Sequence, residues 1–355
     1  MKHGLLRIFL PLLLAAVLTA ALAACRDDDG GADGGARATL TVWLSLPEPD
    51  AAQQAQHRLG DPGEAVPEDD VWDDLTLLLV YEDGRKWVIP LDSQAYNALP
   101  PVTDGSKVRR LQLDVPEGKA YLYGATGNSD EPENENPAAK LAAADTKLEA
   151  EALTISNDYA KGKTDAVARK VSVATGFYHT AEDPDTPALL ELTAQVDGQP
   201  GDAVPTLTLT RLATKIDVQW DAADAVLQGV TDVRVTNFSL DGGNGITGSG
   251  SGRLFPTLNK KSDPQMGSAG FTNTSTVSQR NGRVYHYVFS DGVSTPSITF
   301  RITAQESGAA EDDHDYTLEF GQPLSPAAWY KVNATIRGFT GAHTITIFDD
   351  NTGQP

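Results

Sequence analysis

Apolar and polar residues alternate in short runs along most of this chain, and the alternation has period two. Residues 38–46 place Leu40, Val42, Leu44 and Leu46 on one face of a strand, and Pro47 ends it. Residues 75–81 form a second strand, closed by Glu82-Asp83-Gly84 and resumed at 86–89, which predicts a hairpin with Asp-Gly at its turn. The alternation at 108–115 turns at Pro116-Glu117-Gly118 and returns over 120–123. Residues 134–153 break the β pattern. Asn136 can cap a helix, Pro137 suits its first turn, and Leu141, Ala144, Leu148 and Ala152 share a face, so one short helix is expected there. Strand patterns resume at 171–178 and 189–196.

The breaker cluster Gly198-Gln199-Pro200-Gly201-Asp202 is the best domain boundary. Beyond it lie strand patterns at 206–220, 233–240, 284–289, 297–304, 316–320, 329–337 and 344–348. Short strands at this spacing, with almost no helix, predict an all-β chain built of β-sandwiches. Residues 38–200 form the first domain and 201–355 the second.

Composition narrows the function classes. The chain has 355 residues, with 28 Lys and Arg against 49 Asp and Glu, a net charge of −21. That balance argues against a nucleic-acid partner, because phosphate contacts need clustered cations. One cysteine and six histidines leave little material for a disulfide framework, a zinc site or a haem.

The start of the chain reads as a targeting segment. Lys2 and Arg7 precede an apolar run over 8–24, which ends in Leu22-Ala23-Ala24-Cys25. This resembles the lipobox of bacterial lipoproteins, in which residues 1–24 are removed and Cys25 carries the lipid. Several acyl chains on one residue anchor stably to a membrane. Arg26-Asp27-Asp28-Asp29 is similar to the acidic surface-export signals of Bacteroidales lipoproteins. Residues 25–37 form a Gly/Asp tether with a single basic residue beyond Arg26, namely Arg37, so an Arg-specific protease is expected to find an exposed bond at Arg37–Ala38.

Signals for catalysis are weak. Gly243-Asn244-Gly245-Ile246-Thr247-Gly248 matches a dinucleotide fingerprint, but Ser249-Gly250-Ser251-Gly252 follows where a helix must start, so it reads as a glycine-rich loop. No two of His57, His179, His286, His314 and His343 stand at helical metal spacing. The acidic stretch around His314, residues 311–315, reads as a solvated loop tip. No Gly-x-Ser-x-Gly elbow is present. The chain is expected to be neither an enzyme nor a cofactor binder.

Several segments together resemble the fimbrillin family, the subunits of Bacteroidales type V pili. They are the lipobox with its acidic sequel, the strand at 38–46, and the run from Trp72 to Gly84. They also include 113–127, Leu209-Thr210-Arg211-Leu212-Ala213-Thr214-Lys215-Ile216-Asp217-Val218, and Trp329-Tyr330-Lys331-Val332-Asn333-Ala334-Thr335-Ile336. In this chain Thr214 is an extra residue before the lysine, and Ala334 stands where the family has valine.

The resemblance implies two tandem transthyretin-like Greek-key sandwiches and a lipidated precursor at the outer membrane. It also implies cleavage by an Arg-specific protease, here at Arg37 and Ala38, and polymerisation with other pilus subunits by strand exchange. Leu40, Val42, Leu44 and Leu46 are then the apolar stripe that leaves, and the strand with Ile345, Ile347 and Phe348 is a candidate donor. An anchor or tip subunit that keeps its lipid is a close variant. A surface lipoprotein binding glycan or protein is the other class, with Trp43, Trp72, Trp87, Trp220 and Trp329 as potential stacking rings, although core packing is their expected role.

Overall fold

A computed structural model describes residues 36–47, 72–164, 166–194, 204–221, 230–241, 251–256, 258, 269–271, 281–290, 297–306, 310–321, 323–336 and 343–349. The description is mostly β-sheet, as the alternation predicts. In the first half, β1 (Arg37–Ser45), β2 (Asp74–Tyr81), β3 (Lys86–Asp92), β4 (Arg109–Pro116) and β5 (Gly118–Gly127) follow the expected runs closely. Strands β7 (Ala174–Phe177) and β8 (Leu189–Leu192) come later, with β6 (Thr154–Ser156) before them.

These strands make two sheets. One has three strands in the order β4-β1-β9, where β9 is Thr206–Thr208. The other has six, in the order β10-β7-β5-β2-β3 with β8 also on β5, where β10 is Thr210–Arg211. Their facing sides share one core. Leu40, Val42 and Leu44 of β1 meet Leu75, Leu77 and Leu79 of β2, together with Leu111, Leu113 and Leu122. The far side of the six-stranded sheet is also covered. Leu78, Val80, Tyr123 and Phe177 pack with Leu141, Tyr159, Leu254, Phe255 and Phe289. Strand β2 is therefore buried on both faces, which is why its sequence is a nearly unbroken apolar run rather than an alternating one.

The expected single helix is two. Pro137–Ala143 is capped by Asn136, whose side chain accepts from the Ala138 and Ala139 amides. Lys147–Ala152 begins anew because Thr146 accepts from the Glu149 amide, while Glu149 accepts from the Asp145 amide at 2.8 Å. The break rotates the second helix off the shared face, and Leu148 is left 69% exposed. Ser93–Ala98 is a further short helix, capped by Asp92. A helix over residues 166–172 takes the first two positions of the strand expected at 171–178, which shrinks to β7.

The sheets of the first half extend past residue 201. Leu207 and Leu209 fill its core, and the chain crosses from the three-stranded to the six-stranded sheet between β9 and β10. Gly176 makes room for that crossing, since a Cβ there would stand 2.1 Å from the Thr208 carbonyl oxygen. Core completion, rather than the breaker cluster, decides where the unit ends. The expected strand over 206–220 is accordingly three pieces, the last being β11 (Ala213–Asp221).

The second half carries two four-stranded sheets. One is β15-β11-β18-β19, with β15 Asn281–Phe289, β18 Trp329–Ile336 and β19 His343–Asp349. The other is β14-β12-β16-β17, with β12 Val230–Asp241, β14 Ala269–Phe271, β16 Ser297–Glu306 and β17 Glu311–Glu319. The acidic stretch at 311–315 is thus not a loop tip. It opens β17 at the edge of its sheet, paired to β16 from Gln305↔Glu311 onward, and charge on an edge strand opposes pairing with other chains. A two-stranded ribbon three residues long joins the halves, where β13 (Ser251–Arg253) pairs with β6.

Candidate functional site

The site is β1 and the slot that holds it. β1 lies between two neighbours of opposite direction. On one side it runs antiparallel to β4, from Arg37↔Pro116 to Leu44↔Arg109. On the other it runs parallel to β9, over Trp43↔Thr206 to Ser45↔Thr208 only. The Trp43 amide donates to the Pro205 carbonyl and the Leu209 amide to the Ser45 carbonyl, each at 2.9 Å. Its inward residues are Ala38, Leu40, Val42 and Leu44, continued by Leu46 just past its end, and Val42 and Leu44 are fully buried. Burying each large one contributes about 1.5–3 kcal/mol. The stripe expected to leave is therefore the centre of a sheet and part of the main core.

The mouth of the slot is polar. The Arg37 guanidinium lies 2.9 Å from the Asp114 carboxylate, and it also donates to the Asp114 backbone carbonyl at 2.7 Å. It stands over the Trp87 ring, 5.0 Å from the centroid. Beneath this pair, the Tyr81 hydroxyl donates to the Pro116 carbonyl at 2.9 Å, and burial pushes its pKa well above the usual tyrosine range. Arg85 covers the Tyr81 ring and donates to the Glu117 carbonyl at 2.8 Å. Cation, ring and carbonyls together fix the end of β1 where the chain enters it.

Arg37 is consequently not a residue of the free tether. It is the first residue of β1, its side chain is 41% exposed, and Ala38 is 2% exposed and paired with Val115. A protease binds an extended backbone, so this bond must first leave the ladder. A cut after Arg37 also leaves β1 on the chain. The only Lys or Arg between Arg37 and Arg85 is Arg58, in the segment that joins β1 to β2. That spacing was readable in the sequence, but it acquires meaning only once β1 is known to end at Ser45.

Cys25 and residues 1–24 lie outside the described residues. Ile345, Ile347 and Phe348 sit on β19, opposite Ala334, Val332 and Lys331 of β18, at the edge of the sheet. The glycine-rich stretch at 243–248 and His57 lie outside the described residues, and His179 is exposed. Among the described residues no group of three His, Cys, Asp or Glu side chains could hold a metal. Trp72 and Trp87 pack partly buried against the core, as expected, but Trp43 points outward and is 36% exposed. Period two places it opposite Leu44 on the strand. The side chains of Trp220 and Trp329 lie outside the described ones.

No family model and no curated protein matches the chain. Solved structures do. The chain is similar to a candidate cell-adhesion protein from Parabacteroides distasonis, at 12% identity over 88% of this chain and 98% of that one, with a TM-score of 0.47. It is similar to the tip fimbrial protein Mfa3 from Porphyromonas gingivalis, at 9% identity over 88% and 99%, TM-score 0.43. The fimbrial anchor protein Mfa2 from the same organism follows at 11% identity over 87% and 96%, TM-score 0.44. The structural neighbours of this chain are thus cell-adhesion and fimbrial proteins.

Proposed function

We propose that this chain is a structural subunit of a cell-surface pilus, without enzymatic activity, built of two tandem transthyretin-like sandwiches. It is exported as a lipoprotein on Cys25, reaches the outer membrane, and joins other subunits when β1 is exchanged for a strand of a neighbour. The observation that carries this reading is the place of β1. One strand near the start of the described residues fills the middle of a three-stranded sheet and supplies four inward residues to the core, with Leu46 following as a fifth. Its removal exposes two unpaired backbone edges and an apolar trough, and a strand from another chain satisfies both. Exchange of this kind is head-to-tail and grows filaments.

Processing follows the same geometry. A cut after Arg37 releases the lipid tether and leaves β1 in its slot. A cut after Arg58 is the one that detaches β1 from the rest of the chain. Sequencing the N-terminus of the subunit in filaments sheared from its native cell tests this. A subunit starting at Leu59 is the expected result. Filaments whose subunit starts at Ala38 would show that β1 stays on the chain. A sole species starting at lipidated Cys25 would mark an anchor subunit.

A further inference from the structure

We infer that the outward face of the sheet β4-β1-β9 binds an acidic glycan: a sugar ring lies on Trp43 and its carboxylate meets Arg110. This goes beyond the pilus reading, and it holds for any chain whose β1 is in its slot.

Three observations carry it. First, Trp43 is left out of the core. It is 36% exposed on the middle strand of its sheet. The outward positions around it are all polar, with Thr41 and Ser45 on β1, Arg110 and Gln112 on β4, and Thr206 and Thr208 on β9. A protein-docking surface needs several apolar side chains together. One ring among hydrogen-bonding groups suits a sugar instead, whose C–H face is apolar and whose rim carries hydroxyls.

Second, a cation stands beside the ring. The Trp43 amide turns to the Pro205 carbonyl and the Arg110 amide to the Pro100 carbonyl, each away from the other strand. The two residues are thus a non-hydrogen-bonded pair, in which cross-strand side chains stand nearest. Arg109 donates to the Leu99 carbonyl at 3.4 Å. Among the described residues, the side chains of Arg110 and Gln112 make no hydrogen bond or ion pair.

Third, the charge of this face opposes that of the chain. The chain carries a net −21, yet the outward charges of the three strands are Arg37, Arg110 and Asp114. Arg37 lies 2.9 Å from Asp114, so Arg110 is the charge left over. A guanidinium takes a carboxylate through two parallel bonds, which selects a uronic or sialic acid over a neutral sugar.

The test is calorimetric titration of the full, uncut chain with tetragalacturonate, a disialyl oligosaccharide, the methyl esters of both, and hexaglutamate. At least one acidic glycan is expected to bind with a Kd of about 1 mM or tighter. Trp43→Thr should weaken it roughly tenfold. Arg110→Gln should weaken the acid roughly fivefold and leave its methyl ester unchanged. Both side chains are exposed, so melting temperatures equal to wild type separate lost binding from lost folding. Binding of neither acidic glycan overturns the inference, as does binding that survives Trp43→Thr. Ester and acid binding equally would overturn the role of Arg110, and hexaglutamate binding as tightly as the glycan would reduce the face to a charge. The pilus reading stands under each of these results, since it does not use this face.

Discussion

Asn157 hydrogen-bonds both backbone groups of Phe289, a residue 132 positions later in the chain. Its Oδ1 accepts from the Phe289 amide at 2.6 Å, and its Nδ2 donates to the Phe289 carbonyl at 3.4 Å. The side chain thus acts as one more strand residue beside β15. Around it, Thr175 donates to the Leu254 carbonyl and Lys170 to the Tyr287 carbonyl, while Phe255 packs on Tyr123 and Phe177. The two halves are joined by a buried, hydrogen-bonded contact, on the face of the six-stranded sheet away from β1.

Replacing Asn157 by alanine leaves the Phe289 amide buried without a partner. The expected cost is about 3 kcal/mol. Asn157→Asp should cost as much, because a carboxylate cannot donate to the carbonyl. Urea unfolding of both variants checks this, and a loss confined to the alanine variant would show that the Nδ2 contact contributes nothing.

The same leucine-to-alanine change should cost much at one place and little at another. Leu44 is fully buried at the centre of β1, and Leu148 is 69% exposed. Leu44→Ala is expected to lower stability by about 3–5 kcal/mol. Leu148→Ala should stay within about 0.5 kcal/mol. Equilibrium denaturation distinguishes them. A small effect at Leu44 would mean that β1 is already loosely held.

Gly176 is required by space. A Cβ there would stand 2.1 Å from the Thr208 carbonyl oxygen, where the chain crosses between sheets. Gly176→Ala should cost about 3 kcal/mol by forcing β7 and β9 apart. The loss should appear as a lowered melting temperature, and an unchanged melt would refute the close approach.

Lys170 couples the junction to pH. Burial pushes its ammonium down from 10.5 to about 8, opposed by the charge of Asp158. Between those values the unfolded state binds the proton and the folded state does not, so stability rises with pH across that window. Below about pH 8 the charged form is present in both states and its burial cost is constant. From pH 8 to 9.5 the gain should be about 2 kcal/mol, before unfolded tyrosines begin to ionise. Denaturation of wild type and Lys170→Met at several pH values tests this. Equal slopes for the two would place Lys170 in a solvated setting.

Much of the site was legible in the sequence because β-strands write burial with period two. Leu40, Val42, Leu44 and Leu46 alternate with Thr41, Trp43 and Ser45, and the four aliphatic side chains are the ones that the fold buries. The Asp-Gly hairpin was legible for a local reason as well, since Gly84 adopts φ +90° at its turn. The Thr146 cap that splits the helix was written as Thr-x-x-Glu, but the apolar spacing across it masked the signal.

What lies beside β1 was not local information. Its neighbours β4 and β9 begin 72 and 169 residues after Arg37, and no pattern within a strand specifies its partner. Arg37 shows the consequence. In sequence it is the last residue of a polar tether, and its exposure there follows from composition. Pairing with Pro116, the Asp114 carboxylate and the Trp87 ring turn it into the first residue of a central strand. The sequence by itself determined which residues face inward on each strand. Only the tertiary structure decided which strand stands at the centre of its sheet, because that depends on long-range pairing of backbone groups that are alike at every residue.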